Sequence, residues 1–326
     1  MNKVFLAVIF LVSLNAFGQK NESPVKGKTI CIDPGHGGTA ATDSYRVGPG
    51  GEREEWIDLR VGLMLQKMLE EKGAKVIMTR TEDKVVPLPD RSKMAVESKA
   101  DLLVSIHHNA TADSSVNFPI IYFHGNKSEN LASVAFGKLL GAKLLKYMHK
   151  PKSPISLVSD FTVFAEAGAS VLRNTYGIPA ILAEASFFTN AAEEQKLKSE
   201  KHNRNEAIAY TEAIEAFFAK PIQKIEVKNS NVPAIPPFKV FQEAERMTPI
   251  AKQWKQDFEE ANRLMSKKDT MSLREAYDLF TRSVRSFPDS YIAAECHKKR
   301  AAILNMLGKS LESEQEEQRA KEYYVD

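Results

Sequence analysis

Asp101-Leu102-Leu103-Val104-Ser105-Ile106-His107-His108-Asn109 is the stretch that decides the fold. A short apolar run bounded by polar residues reads as a strand buried on both faces. Upstream, Thr29-Ile30-Cys31-Ile32 and Lys75-Val76-Ile77-Met78-Thr79 have the same character. Between those two, Ile57, Val61, Met64, Leu65, Met68 and Leu69 recur at the spacing of one helical face over 54–72, and Gly73 is placed to stop that helix. Downstream, a short helix over 91–99 precedes the 101–106 strand. Then come Ile120-Ile121-Tyr122-Phe123 as a strand, a helix over 130–147, Ala180-Ile181-Leu182-Ala183 as a strand, and a closing helical segment over 191–219. Strands separated by helices predict an α/β fold, a twisted and mostly parallel sheet with helices on both faces.

Composition changes after residue 219. Pro221, Pro233, Pro236 and Pro237 lie among polar residues, which reads as an extended linker over 220–246. From 247 to 326 the pattern is helical and predicts a small all-α domain. Breaks fall at Phe287-Pro288-Asp289-Ser290 and at Gly308. The stretch around Glu275–Phe280, that first break and Leu307-Gly308 resembles one tetratricopeptide-type hairpin. One such unit does not bury a continuous core alone, so the tail is expected to lean on the first domain or on a protein partner.

At the other end, Lys3, the apolar run from Val4 to Leu14 and Ala16-Phe17-Gly18 follow the order of a secretory signal peptide, residues 1–18. That run is too short to span a bilayer, so no transmembrane span is expected after its removal. The expected location is the periplasm, with an extracellular one as the alternative. A formal net charge of +3 is small and does not suggest nucleic acid, which usually demands a concentrated basic face, so nucleic acid is not an expected partner. Cys31 and Cys296 fall in different predicted domains and are expected to be two separate buried thiols.

Three of the predicted strands end in reactive groups. The first runs into Asp33-Pro34-Gly35-His36-Gly37-Gly38, the third into His107-His108-Asn109, and the last delivers Glu184. Open parallel sheets bind ligands beyond the carboxyl ends of their strands. Two histidines meeting there suit a shared zinc ion, which commonly takes two imidazoles and a carboxylate and keeps one position open. Glu52, Glu54 and Glu55 all stand near the start of the long helix, and spacing does not choose among them.

Four blocks together resemble the zinc-dependent N-acetylmuramoyl-L-alanine amidases of the type-3 family. They are Ile32–Gly38, Glu54 with Leu59 five positions on, Ser105–Asn109, and Ile178–Asn190 with Glu184 inside it. Thr79-Arg80, Asp83, Leu88, Arg91 and Val171-Leu172-Arg173 support the match, which covers about 28–219. The resemblance implies a catalytic domain over 28–219, zinc ligands His36, Glu54 and His107, and Glu184 as the catalytic glutamate. It implies hydrolysis of the amide between N-acetylmuramic acid and L-alanine in peptidoglycan. A zinc peptidase and a non-catalytic wall-binding scaffold are the alternatives. Three further expectations concern individual features: His108 as an exposed bystander, Arg173 as the competing structural partner of Glu184, and residues 151–168 as a loop beside the cleft.

Overall fold

The structure is a computed structural model that describes residues 22–43, 46–150, 152–228 and 233–325. The expected signal peptide lies outside the described residues. In chain order the elements are β1 (Thr29–Pro34), α1 (Glu54–Glu71), β2 (Lys75–Met78), α2 (Leu88–Glu97), β3 (Leu102–Asn109), β4 (Ile120–Phe123), α3 (Leu131–Met148), β5 (Ser156–Ser159), α4 (Ser170–Arg173), β6 (Ala180–Phe187), α5 (Ala191–Leu197) and α6 (Glu200–Phe218). The tail adds α7 (Glu243–Arg246), α8 (Trp254–Met265), α9 (Thr270–Ser286), α10 (Ala293–Met306) and α11 (Ser310–Tyr323). Helix starts follow local chemistry. Asn130, Asn190, Ser199 and Asp269 cap α3, α5, α6 and α9 through their side chains, while Gly73, at φ 86°, ends α1.

Among the described residues the sheet has six strands in the order β2-β1-β3-β6-β4-β5. The pairs β1–β2, β1–β3, β3–β6 and β4–β5 are parallel, whereas β4 runs antiparallel to β6. The mostly parallel expectation therefore holds with one reversed step. Strand β5 corrects the reading of 151–168 as a loop: Ser156-Leu157-Val158-Ser159 forms the sheet's edge beside β4.

Alternation along the strands sorts side chains onto two cores. Ile30, Ile32, Val104, Ile106, Ile181 and Ala183 face one core with Ile57, Leu65, Leu140, Tyr210 and Ile214 of α1, α3 and α6. Cys31, Leu103, Ile120, Tyr122 and Phe187 face the other. Helices α2 and α4 contribute to that second core, and the tail supplies Trp254, Phe280, Phe287 and Ile303. Phe287 stands 5.8 Å from Phe118, 6.1 Å from Phe187 and 5.0 Å from Trp254, ring centre to ring centre. At the chain's end, Tyr324 pairs with Val158 of the edge strand in an antiparallel bridge, and Val325 donates a 3.0 Å backbone hydrogen bond to Leu157. The tail thus leans on the sheet and shares its second core. Cys31 and Cys296 are both free and buried, as the sequence suggests. Among the described residues no helix is long and apolar enough to cross a membrane.

Candidate active site

Strand β3 brings His107 to the carboxyl edge of the sheet, in register with Glu184 on the neighbouring strand β6. Both project into one cavity of about 340 Å³, which His36, Glu54 and Tyr122 also line. Strand β6 continues to Phe187, so Glu184 sits inside the strand rather than at its end. A register shift between His107 and Asn109 marks a bulge at that level, the kind of irregularity that re-aims side chains beside functional sites.

His36 reaches the cavity from the loop after β1. Its φ of 52° is left-handed, a conformation that costs a non-glycine residue energy unless its surroundings hold it. Two guanidinium groups do so. Arg80 donates to the carbonyls of Pro34 and Gly35, at 2.9 and 2.6 Å, and Arg91 donates to those of Pro34 and His36. Asp33 ties the loop's base to Thr79, Ser105 and Arg91 at 2.6–2.7 Å. Gly35 is required by space, because a Cβ there would collide with the His107 ring.

The three glutamates separate. Glu52 accepts from Arg60 at 2.7 Å and Glu55 from Arg53 at 2.8 Å. Glu54, the first residue of α1, turns inward: its Oε1 lies 3.0 Å from His36 Nε2 and 3.0 Å from His107 Nδ1. Those two ring nitrogens are 3.1 Å apart, and the rings meet edge to face. Burial alone would raise the Glu54 carboxyl, but His36 and His107 override it and hold it well below the carboxylate range.

Three ligand atoms therefore surround one point, and among the described residues they are the group that could hold a metal ion. Without a cation, lone-pair-bearing atoms at such distances crowd one another unless protons lie between them. Ligands of a tetrahedral zinc ion, with bonds of about 2.0–2.1 Å, stand about 3.3 Å apart, close to the triangle seen here. Two imidazoles and one carboxylate suit zinc better than calcium or magnesium, which prefer oxygen-only shells. The residues fit the ion.

Glu184 supplies a second acid. Burial raises its carboxyl well above the usual range, and the charges of Glu54 and Asp58 add to that. Among the described residues no group bonds to its buried Oε2. Arg173 is not its partner, since that side chain donates to the carbonyls of Ala167 and Gly168 at 3.0 and 3.1 Å.

His108 overturns the exposed reading. It is 1% exposed, because its place next to His107 on a strand sends it through to the opposite face. There Nδ1 meets Asp58 of α1 at 2.8 Å and Nε2 meets Glu206 of α6 at 3.1 Å. Burial opposes its charge, but Glu206 and Asp58 overcome that and raise its pKa well above 6.5. Asp58 follows Glu54 by one helical turn, the one sequence signal that could have found it. Sequence reasoning also missed the tail's share of the cavity: Phe241, Gln242 and Arg246, from the stretch that reads as linker, and Met247, the first residue beyond it, line it. Of segment 151–168, Val163 and Phe164 reach the wall.

Residues 30–216 match the family described as N-acetylmuramoyl-L-alanine amidase (Amidase_3). The chain belongs to that family. It is 30% identical over 199 residues to the probable cell wall amidase LytH of Staphylococcus epidermidis, covering 61% of each chain, so it spans about three-fifths of that relative's length. Among solved structures, it is similar to the N-acetylmuramoyl-L-alanine amidase AmiC2 of Nostoc punctiforme. That match has a TM-score of 0.52 and 26% identity and covers 60% of this chain and 99% of the other. The N-acetylmuramoyl-L-alanine amidase from Clostridium difficile 630 gives 0.51 and 27%, covering 60% and 98%. The family match ends at residue 216, so the tail lies beyond it.

Proposed function

We propose that this amidase is a zinc-dependent peptidoglycan hydrolase that cleaves the amide between N-acetylmuramic acid and the L-alanine of the stem peptide. The observation that carries the reading is the placement of Glu184 in register with His107, beside the convergent triangle of His36, Glu54 and His107. Zinc, when bound, supplies Lewis acidity that polarises an amide carbonyl and acidifies water.

The chain's own groups do the rest. His36, Glu54 and His107 hold the ion, and the ionised Glu54 carries charge that the cation offsets. Glu184 takes a proton from the attacking water and returns it to the leaving amine; a positioned acid–base group of this kind typically contributes roughly a hundredfold to ten-thousandfold. Burial and the charges of Glu54 and Asp58 raise its carboxyl above the ordinary carboxylate range, which favours its holding the proton it takes. Leu182, Val163 and Phe164 give the cavity wall an apolar side.

The relatives' cell-wall role and the leader-like residues 1–18 support an exported location. On this reading residues 28–219 carry the chemistry, and the stretch 220–246 connects and also brings Phe241, Gln242 and Arg246 to the cavity. The tetratricopeptide-like helices from 247 onward cover the sheet and offer a face to a protein partner.

Digestion of purified sacculi, with and without a chelator, tests the reading. Mass analysis should find stem peptides with a free L-alanine amine and glycan with intact lactyl groups, and the chelator should abolish both. Products cut only within the peptide would identify a peptidase, and no release at all would favour a scaffold.

A further inference from the structure

Arg246 reaches the cavity from α7, outside the residues that match the family. Its Nη2 bonds both oxygens of Asp289, at 3.0 and 3.4 Å, and its Cζ lies 5.6 Å from the centre of the Phe287 ring. Asp289 is fully buried and also accepts from the hydroxyl of Tyr122, which lines the same cavity. The guanidinium is therefore fixed in place by the tail and the sheet together. Both bonds to Asp289 run through Nη2, whereas a guanidinium carries five N–H donors arranged as a fork that fits a carboxylate. The cavity's other arginine, Arg46, is engaged with Asp43 at 2.8 Å and stands 3.7 Å from Glu54. Arg246 is thus the cation that the tail, which also places Phe241, Gln242 and Met247 in the wall, adds to the residues of the amidase fold.

We infer that Arg246 reads a carboxylate of the substrate, so that the tail makes this enzyme selective for acidic stem peptides. The inference rests on the proposed amidase reading. Cleavage at the muramoyl–L-alanine bond places the rest of the stem peptide in the cavity, and the residue after L-alanine bears either a carboxylate or a carboxamide. A rigid guanidinium distinguishes the two by charge and by its paired donors. A charged hydrogen bond of this type corresponds to a preference of roughly ten- to hundredfold.

The test uses the full zinc-loaded chain and two synthetic N-acetylmuramoyl dipeptides, identical except that the side-branch carboxylate of the second residue is a carboxamide in one. Two quantities are compared: kcat/KM for each compound, and the Kd of each for the Glu184→Gln protein. The native chain should favour the acid roughly tenfold or more. Arg246→Gln should collapse the acid-to-amide ratio toward one, chiefly through KM. Arg246→Lys keeps a cation beside Asp289 but not the fork, so it should retain only part of the ratio. It also decides the matter should Arg246→Gln fail to fold.

A native chain without acid preference, or an equal loss on both compounds in the variants, overturns the inference and leaves Arg246 as a fastener of the tail. Cleavage of neither compound sinks the amidase reading instead, and the two Kd values then decide the role of Arg246 independently.

Discussion

Tyr122, the third residue of β4, donates its hydroxyl hydrogen bond to Asp289, in the turn between α9 and α10. The donor lines the cavity that holds Glu184, and the acceptor belongs to the tail. Burial pushes the Tyr122 hydroxyl well above its ordinary pKa, with Asp289 and Glu184 adding to the rise, so it donates to Asp289 at neutral pH. The tail is therefore joined to the site by a buried polar link as well as by the aromatic cluster around Phe287.

Removing the acceptor should be expensive. In Asp289→Ala, the guanidinium of Arg246 and the hydroxyl of Tyr122 lose a buried partner together. Breaking a buried ion pair from one side costs roughly 3–5 kcal/mol, whereas Tyr122→Phe should cost about 1–2 kcal/mol because Arg246 still answers Asp289. Urea denaturation of both variants measures the difference. A cost below about 1 kcal/mol for Asp289→Ala would mean that the link contributes little to docking.

Metal binding should be visible as stability. An ion held at a hundred times its dissociation constant stabilises the folded chain by about 2.7 kcal/mol, so zinc should raise the thermal midpoint and a chelator should reverse the gain. His36→Ala and His107→Ala should abolish the response. Glu55→Gln should weaken the fold through Arg53 yet keep the zinc response, which separates the two neighbouring glutamates. A zinc response that survives in His107→Ala would remove that residue from the ligand set.

Much of this arrangement is legible in the sequence. Strands buried on both faces announce themselves as apolar runs, and the reactive residues follow those runs directly, so His36, His107 and Glu184 stand out. Other parts are not legible, for physical reasons. Strand β5 is four residues long and begins two residues after Pro154. The partners of His108 lie 50 and 98 residues away in sequence, and only strand alternation reveals that it points inward while His107 points to the cavity. Spacing could not choose among Glu52, Glu54 and Glu55, because their separation depends on arginines at 53 and 60 and on where the loop of His36 comes down. Arg246 hides in a proline-rich stretch whose composition suggests a spacer, and its role emerges only when the chain folds back over the sheet.

Acid sensitivity should have a source away from the site. Burial alone would raise the carboxyl of Glu193, but hydrogen bonds from His202 and Lys196 override it and hold it at about 2, against an ordinary value of 4.5. A depressed carboxyl contributes stability that is present above its unfolded pKa and is lost as pH falls through the folded one. The native chain should lose stability between about pH 4.5 and pH 2. Glu193→Gln should start lower at pH 6 and decline less steeply over that interval. Denaturant midpoints taken across the range check the slope, and parallel curves for the two proteins would place the acid sensitivity elsewhere.

Catalysis should depend on Glu184 separately from the metal. Glu184→Gln keeps the shape of the side chain and leaves His36, Glu54 and His107 untouched, so zinc content by elemental analysis should equal that of the native chain. Turnover should fall roughly a hundredfold to ten-thousandfold, the range of a lost acid–base group. Arg173→Ala serves as the control. Its guanidinium bonds the carbonyls of Ala167 and Gly168, so its loss should loosen that turn and lower stability without matching the loss of turnover. Were the two variants to lose activity by the same factor, with zinc retained in both, Glu184 would be acting through the architecture of the wall and not on the proton.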